Sequence, residues 1–87
     1  MSRGAFDYQQ YRIKDIADTI EEHLDAQAEL PAGDQFNPET VAELRKTVRL
    51  LRLAFVYAYR ADWLLSGDDG EESFHRRLAE ELKGLDA

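Results

Sequence analysis

The sequence predicts an all-α protein, specifically an antiparallel three-helix bundle with a long central helix. One observation is that apolar residues recur at three- and four-residue steps in three stretches, which loop-forming residues separate. The other is charge. Residues 1–37 carry eight acids and three bases, residues 38–66 five bases and three acids, and residues 67–87 seven acids and three bases. A basic, apolar helix between two acidic helices is typical of a small bundle with an acidic exterior.

Length and composition narrow the class of protein. Eighty-seven residues predict a single domain, 1–87, and such a short chain is marginally stable on its own. The absence of Cys excludes disulfides and thiolate sites, and two His make a structural zinc site unexpected. The N-terminus is unlike a signal peptide, and charges interrupt the apolar runs. We therefore expect a cytoplasmic protein without cofactors or membrane contact.

The first predicted helix spans about residues 7–29. Ile13, Ile16, Ile20 and Leu24 lie at helical spacing and predict one buried face. Pro31 and the nearby Gly33 favour a loop after this helix.

The second predicted helix spans residues 38–65. Asn37 is placed to cap it, Pro38 suits the first helical position, and Gly67 suits the left-handed residue after its end. An apolar heptad with one acidic member runs along its whole length: Val41, Leu44, Val48, Leu51, Phe55, Ala58, Asp62 and Leu65. A second apolar stripe occupies only the C-terminal half: Leu50, Leu53, Tyr57, Ala61 and Leu64.

The third predicted helix spans about residues 70–83. Asp69 and Glu72 resemble a capping box, and Gly84 is expected to stop the helix. Its apolar residues would cover the half-length stripe of the second helix, while the first helix would cover the full-length stripe. Alternatively, one stripe is left for a second copy of the chain, which predicts a homodimer.

A row of carboxylates on the first helix is the main candidate for partner binding. The row advances by three or four residues and lies opposite the isoleucines. Such a row could face a basic protein surface, as the phosphates of a duplex do, or it could be only a solvated face. This acidic stripe consists of Asp15, Asp18, Glu22, Asp25 and Glu29.

A basic and aromatic face on the second helix is the secondary candidate. Arginines interleaved with aromatic residues can bind nucleic acid, but a chain of net charge −7 is repelled by phosphate, so we expect no direct nucleic-acid binding. The alternative is that these arginines pair with acids of neighbouring helices or of a second copy. This basic face consists of Arg45, Arg49, Arg52, Tyr59 and Trp63, with Arg60 beside them.

Enzymatic patterns are incomplete in this sequence. The Glu72–His75 step of di-iron bundles occurs once, whereas such sites need two copies and further carboxylates. Carboxylate pairs at residues 18–25 have the spacing of magnesium ligands in all-α nucleotide pyrophosphohydrolases, but they lack a clear partner pair on the second helix. We therefore expect no catalytic and no metal-binding residues, with a metal-dependent pyrophosphohydrolase as an alternative.

Asp62 is the one acid at a core-like heptad position. Buried acids are rare unless they are paired. We expect a structural hydrogen-bonded pair rather than a catalytic acid. The candidate partners are side chains near the start of the first helix and in the third helix: Tyr8, Tyr11, Arg12, His75 and Arg76.

Two segments carry a family resemblance: residues 62–75, which read DWLLSGDDGEESFH, and residues 11–18, which read YRIKDIAD. They cover about a quarter of the chain and are similar to segments of short, uncharacterised acidic proteins of phages and mobile elements. Small, acidic, cysteine-free helical phage proteins include anti-CRISPR inhibitors, so the resemblance implies an inhibitor of host defence without assigning a role to any residue.

The expected function is therefore non-enzymatic protein binding. The acidic stripe would dock on a basic, nucleic-acid-handling protein, in the manner of a phage-type, anti-CRISPR-like inhibitor. The alternatives are a structural or regulatory homodimer and the metal-dependent enzyme.

Overall fold

The computed structural model describes residues 4–86, in which helices are joined by turns and loops and there is no strand. The helices are α1 (Gln10–Ala28), a short 3-10 helix (Ala32–Asp34), α2 (Pro38–Leu65) and α3 (Glu71–Asp86). The all-α prediction with three α-helices is confirmed. The predicted bounds agree with α2 and differ at the ends of α1 and α3. Residues 1–3 and 87 of the predicted domain lie outside the described residues.

Both ends of α2 form as the sequence predicts. The Asn37 side chain accepts a hydrogen bond from the Thr40 backbone N–H at 2.9 Å, with Pro38 in the first helical position. At the other end Gly67 has a φ of +81°, its N–H donates to the Leu64 carbonyl, and the Asp68 N–H donates to the Trp63 carbonyl. This pair of hydrogen bonds is the Schellman motif, which satisfies carbonyls that the helix leaves open.

The segment before α1 is a turn and not a first helical turn. Asp7 and Tyr8 have φ values of +52° and +64°, which a right-handed helix cannot contain. Helix α1 therefore begins at Gln10, three residues after the predicted start.

Helix α3 also differs from the prediction at both ends. The Phe74 N–H donates to the Gly70 carbonyl at 2.8 Å, so Gly70 precedes the helix, while Asp69 keeps a buried Oδ2 without a hydrogen-bond partner. The predicted stop at Gly84 is wrong, because glycine inside a helix costs about 1 kcal/mol relative to alanine but does not forbid the helix.

The core is small and lies between α1 and α2. Ala17, Leu24 and Val48 are buried together, and Ile20, Val41, Leu44 and Leu51 pack against them half-buried. The main helix contacts are α1 with α2 and α2 with α3, and the molecule is flat, 52 × 28 × 15 Å. Much of the predicted full-length stripe of α2 therefore does meet α1.

Two predicted buried faces are partly exposed. Leu50 and Tyr57 of the half-length stripe are 53% and 48% exposed, and Ile16 of α1 is 52% exposed. The reason on α2 is that α3 contacts the neighbouring side of the helix, where Arg77 lies over Trp63 and Glu81 pairs with Arg60.

Candidate protein-binding surfaces

The structure divides the acidic stripe into two parts. Asp18 is engaged in ion pairs, whereas the other four members are exposed and make no ion pair with the described residues. Those four are Asp15, Glu22, Asp25 and Glu29. The binding role predicted for the stripe stays a prediction, but four of its carboxylates are available to a partner.

Asp18 belongs to a charged network that joins α1 to α2. Its carboxylate accepts from Lys14 Nζ at 3.1 Å and from Arg52 Nη2 at 3.2 Å, and Arg52 Nη2 also lies 3.0 Å from Glu21 Oε2. The Lys14 hydrogen bond, aided by Arg52, lowers the pKa of Asp18. The hydrogen bond to Glu21, with Asp18 adding to it, raises the pKa of Arg52. Asp18 and Arg52 therefore connect helices, unlike the free members of the stripe.

Among the described residues, Arg60 has the most buried cationic side chain. Its Nε lies 3.2 Å from Glu81 Oε1, in an orientation that does not complete a hydrogen bond. Its guanidinium stacks on Tyr59 at 4.7 Å and on Trp63 at 4.8 Å from the ring centroids. Arg60 and Arg52 thus follow the alternative of internal pairing that the sequence left open.

The aromatic members of the basic face form a packed row. Tyr11 of α1 lies 5.7 Å from Phe55 and 6.3 Å from Tyr59 between ring centroids, and Tyr59 lies 6.0 Å from Trp63. This row runs along the contact between α1 and α2, and Arg60 covers its end. Tyr59 and Trp63 consequently have a packing role, while Arg45 and Arg49 remain exposed.

A groove of about 440 Å³ lies beside Arg45 and Arg49, where α1, α2 and the end of α3 meet. Apolar residues of all three helices line it: Leu24, Val48, Leu50, Leu53 and Leu85. Arg45, Arg49, Arg52 and Glu21 complete the lining. The groove was not predicted from the sequence, because the third helix was expected to end at residue 83. Leu85 continues the apolar spacing of Leu78 and Leu82, and that signal could have extended the helix.

Asp62 has a partner, but not one of the predicted side chains. Its Oδ1 accepts hydrogen bonds from the backbone N–H of Ala5 at 2.7 Å and of Phe6 at 3.4 Å. The residue is half-buried. Asp62 therefore attaches the N-terminal turn to the end of α2. The expectation of a side-chain pair was wrong because that turn places its amides, and not the Tyr11 or Arg12 side chains, against the carboxylate.

The residues of the metal-dependent alternatives are scattered. Glu72 and His75 are exposed, and Asp18 and Glu21 share Arg52. Among the side chains that the structure describes, no three of His, Asp or Glu are grouped so that they could hold a metal ion.

Comparisons with known proteins add no assignment. No protein family, no curated protein and no solved structure matches this chain. In the part of the chain that the structure describes, no helix combines the length and the apolar character needed to cross a membrane.

Proposed function

We propose that this chain is a non-enzymatic protein-binding module of the cytoplasm, which docks its acidic stripe on the basic surface of a nucleic-acid-handling protein. A phage-type, anti-CRISPR-like inhibitor of host defence would act in this way. The observation that carries the proposal is that Asp15, Glu22, Asp25 and Glu29 are exposed along α1 without an internal ion pair to the described residues.

The physical reason is electrostatic. From Asp15 to Glu29 the row spans roughly 21 Å at 1.5 Å per residue. Glu22, Asp25 and Glu29 follow one another at steps of three and four residues and repel one another, and none of them has an ion pair to the described residues. A partner that binds phosphate backbones supplies a complementary row of Lys and Arg, which would relieve the repulsion and speed association.

We infer an antiparallel three-helix arrangement around the long α2 as the support for this row. Contacts between α1 and α2 pair low residue numbers with high ones, as in Tyr11 with Tyr59 and Asp18 with Arg52. The same order holds for α3 against α2, where Arg77 meets Trp63 and Glu81 meets Arg60. Helix α1 then lies along α2 as a rigid rod, which fixes the spacing of the carboxylates.

The test is a charge reversal with a matched control. The stripe variant changes Asp15, Glu22 and Glu29 to Lys, and leaves Asp18 in place because it holds Arg52. The control changes three exposed acids elsewhere, Glu43, Asp68 and Glu80, to Lys. Each variant gains six units of charge relative to the net −7 of the chain, so bulk charge is equal.

Immobilised wild type, stripe variant and control are incubated with bacterial lysate, and the retained proteins are quantified by mass spectrometry. We expect a basic, nucleic-acid-handling protein that wild type and control retain and the stripe variant loses. Its purified form should bind more weakly as salt rises. Equal loss from both variants would reduce the effect to bulk charge. Retention by both would leave the stripe a solvated face and move attention to Arg45, Arg49 and their surroundings.

A further inference from the structure

The solvent-accessible surface of this chain is larger than that of an average folded monomer of the same mass. Its accessible area is 6582 Å² for 10.0 kDa. The scaling of folded monomers predicts about 5,200 Å² at this mass. The excess exceeds the area of about 800 Å² that each partner contributes to a stable interface of ordinary size.

Part of this surface is apolar and lies at the groove between the three helices. Leu50 is 53% exposed and Leu85 is 39% exposed, and both line the groove with the half-buried Leu53. Nine large apolar or aromatic side chains are exposed among the described residues, whereas the buried apolar set comprises only Ala17, Leu24, Val48 and Val56. A chain with so small a core gains stability from covering such a groove.

The two walls of the groove carry opposite charge. The wall from α2 is basic, with Arg45 and Arg49. The wall from α1 contains Glu21, which pairs with Arg52 of the same copy, and the exposed Asp25, which follows one helical turn later on the same side. A twofold axis across the groove would bring the basic wall of each copy against the acidic wall of the other.

We propose that a second copy of this chain covers the groove, forming a twofold-symmetric dimer in which Arg45 of each copy faces Asp25 of the other. An isologous interface requires one self-complementary patch, and this groove combines an apolar floor with one acidic and one basic wall. The repulsion between two copies of net charge −7 is weak at physiological ionic strength, since salt screens charges that are more than about 8 Å apart.

The first measurement is the molar mass of the wild-type chain by light scattering and sedimentation equilibrium over a concentration series. We expect twice the chain mass at high concentration. Leu50→Ser should weaken the dimer at least tenfold, and Tyr57→Ser, at an equally exposed residue that does not line the groove, should not. A monomer throughout the series, or equal effects of both substitutions, would overturn the proposal.

The decisive experiment exchanges charges between copies. In a dimer of the Arg45→Glu variant, two acidic side chains would face each other at both contacts. In a dimer of the Asp25→Arg variant, two arginines would face each other at both contacts. Each variant should therefore be monomeric. In an equimolar mixture of the two variants, one contact keeps the native pair and the other carries the same pair with its charges exchanged. Both contacts are then attractive, and we expect heterodimers. Circular dichroism of each variant checks the fold. Single variants that stay dimeric, or a mixture that stays monomeric, would refute this contact.

This inference does not rest on the proposed function, although Asp25 belongs to both surfaces. The stripe variant, at Asp15, Glu22 and Glu29, leaves the groove lining unchanged and is read by loss of a foreign partner. The dimer is measured with the purified chain alone. The proposed function can therefore fail its test while the dimer is confirmed, and the reverse is also possible.

Discussion

Gly4 lies so close to Asp62 that a Cβ atom at position 4 would stand 2.5 Å from Asp62 Oδ1. Gly4 also has a φ of +85°, which side chains disfavour. The close approach accompanies the hydrogen bonds from the Ala5 and Phe6 amides to the same carboxylate. The N-terminal turn and the end of α2 therefore fit together at one glycine and one acid.

Gly4→Ala should destabilise the protein by about 1–2 kcal/mol. The alanine would be strained at a positive φ, and its Cβ would clash with the Asp62 carboxylate. Gly33→Ala is the matched control, since its φ is not positive and no atom lies within 4 Å of the added Cβ. It should be neutral or slightly stabilising. Free energies of unfolding from urea titration make the comparison. Equal values for the two variants would mean that the N-terminal turn is not docked on Asp62.

Asp62→Ala removes the acceptor of two backbone amides and should cost about 0.5–2 kcal/mol, the range of a lost helix-capping side chain. Glu22→Ala removes an exposed carboxylate without an ion pair to the described residues and should change stability little. The urea midpoints of the two variants measure the difference. Equal urea midpoints would show that Asp62 does not stabilise the N-terminal turn.

Leu24→Ala should cost about 2–5 kcal/mol, because Leu24 is buried with Ala17 and Val48 and its removal opens a cavity. Leu51→Ala and Phe55→Ala should cost less, since both side chains are half-buried. Leu65→Ala, at a residue that is 66% exposed, is the control and should be nearly neutral. Thermal or urea unfolding, monitored by circular dichroism, gives the loss of stability for each of the four variants. If Leu65→Ala caused the largest loss, the core would lie elsewhere.

The ion pairs of Asp18 should make stability depend on pH. Because its pKa in the folded protein is below the ordinary value of 3.8, Asp18 stabilises the fold above that value and loses this contribution as pH falls through the folded pKa. Asp18→Asn should therefore be less stable than wild type at pH 7, and the gap should close below about pH 3.8. Urea titrations of both proteins at several pH values measure the gap. A gap that persists unchanged at low pH would assign the effect to packing.

Glu81→Gln should destabilise by about 1–3 kcal/mol, since it leaves the buried Arg60 without its anion. Glu80→Gln at the exposed neighbouring residue is the matched control and should change stability little. Trp63, the single tryptophan, stacks on Arg60 and reports unfolding of this region by fluorescence. Equal midpoints for both variants would show that Arg60 is held by its aromatic neighbours alone.

Local chemistry made parts of the fold predictable from sequence. The bounds of α2 follow from Asn37, Pro38 and Gly67, because capping and turn conformations depend on residues a few positions apart. The apolar spacing of α1 likewise indicated Leu24 as buried. The acidic stripe was predictable as one face of a helix for the same reason. Which of its members lack an ion pair was not predictable.

Other features depend on contacts between residues far apart in the chain. Asp18 pairs with Arg52, whereas Asp15 has no ion pair to the described residues. This difference follows from the rotation of α1 against α2, which the spacing within one helix does not determine. Asp62 binds amides 56 and 57 residues earlier through a turn whose left-handed residues, Asp7 and Tyr8, are not glycines.

The sequence by itself determined the helical class, the capped ends of α2 and the separation of charge, because these depend on local propensity and periodicity. The tertiary structure decided which side of α2 receives α3, and with it the groove formed by Leu50, Leu53 and Leu85. Two apolar stripes on one helix offer a short third helix more than one place to pack, and the choice between them depends on the pairing of Arg60 with Glu81 and on the fit of Trp63 to its neighbours.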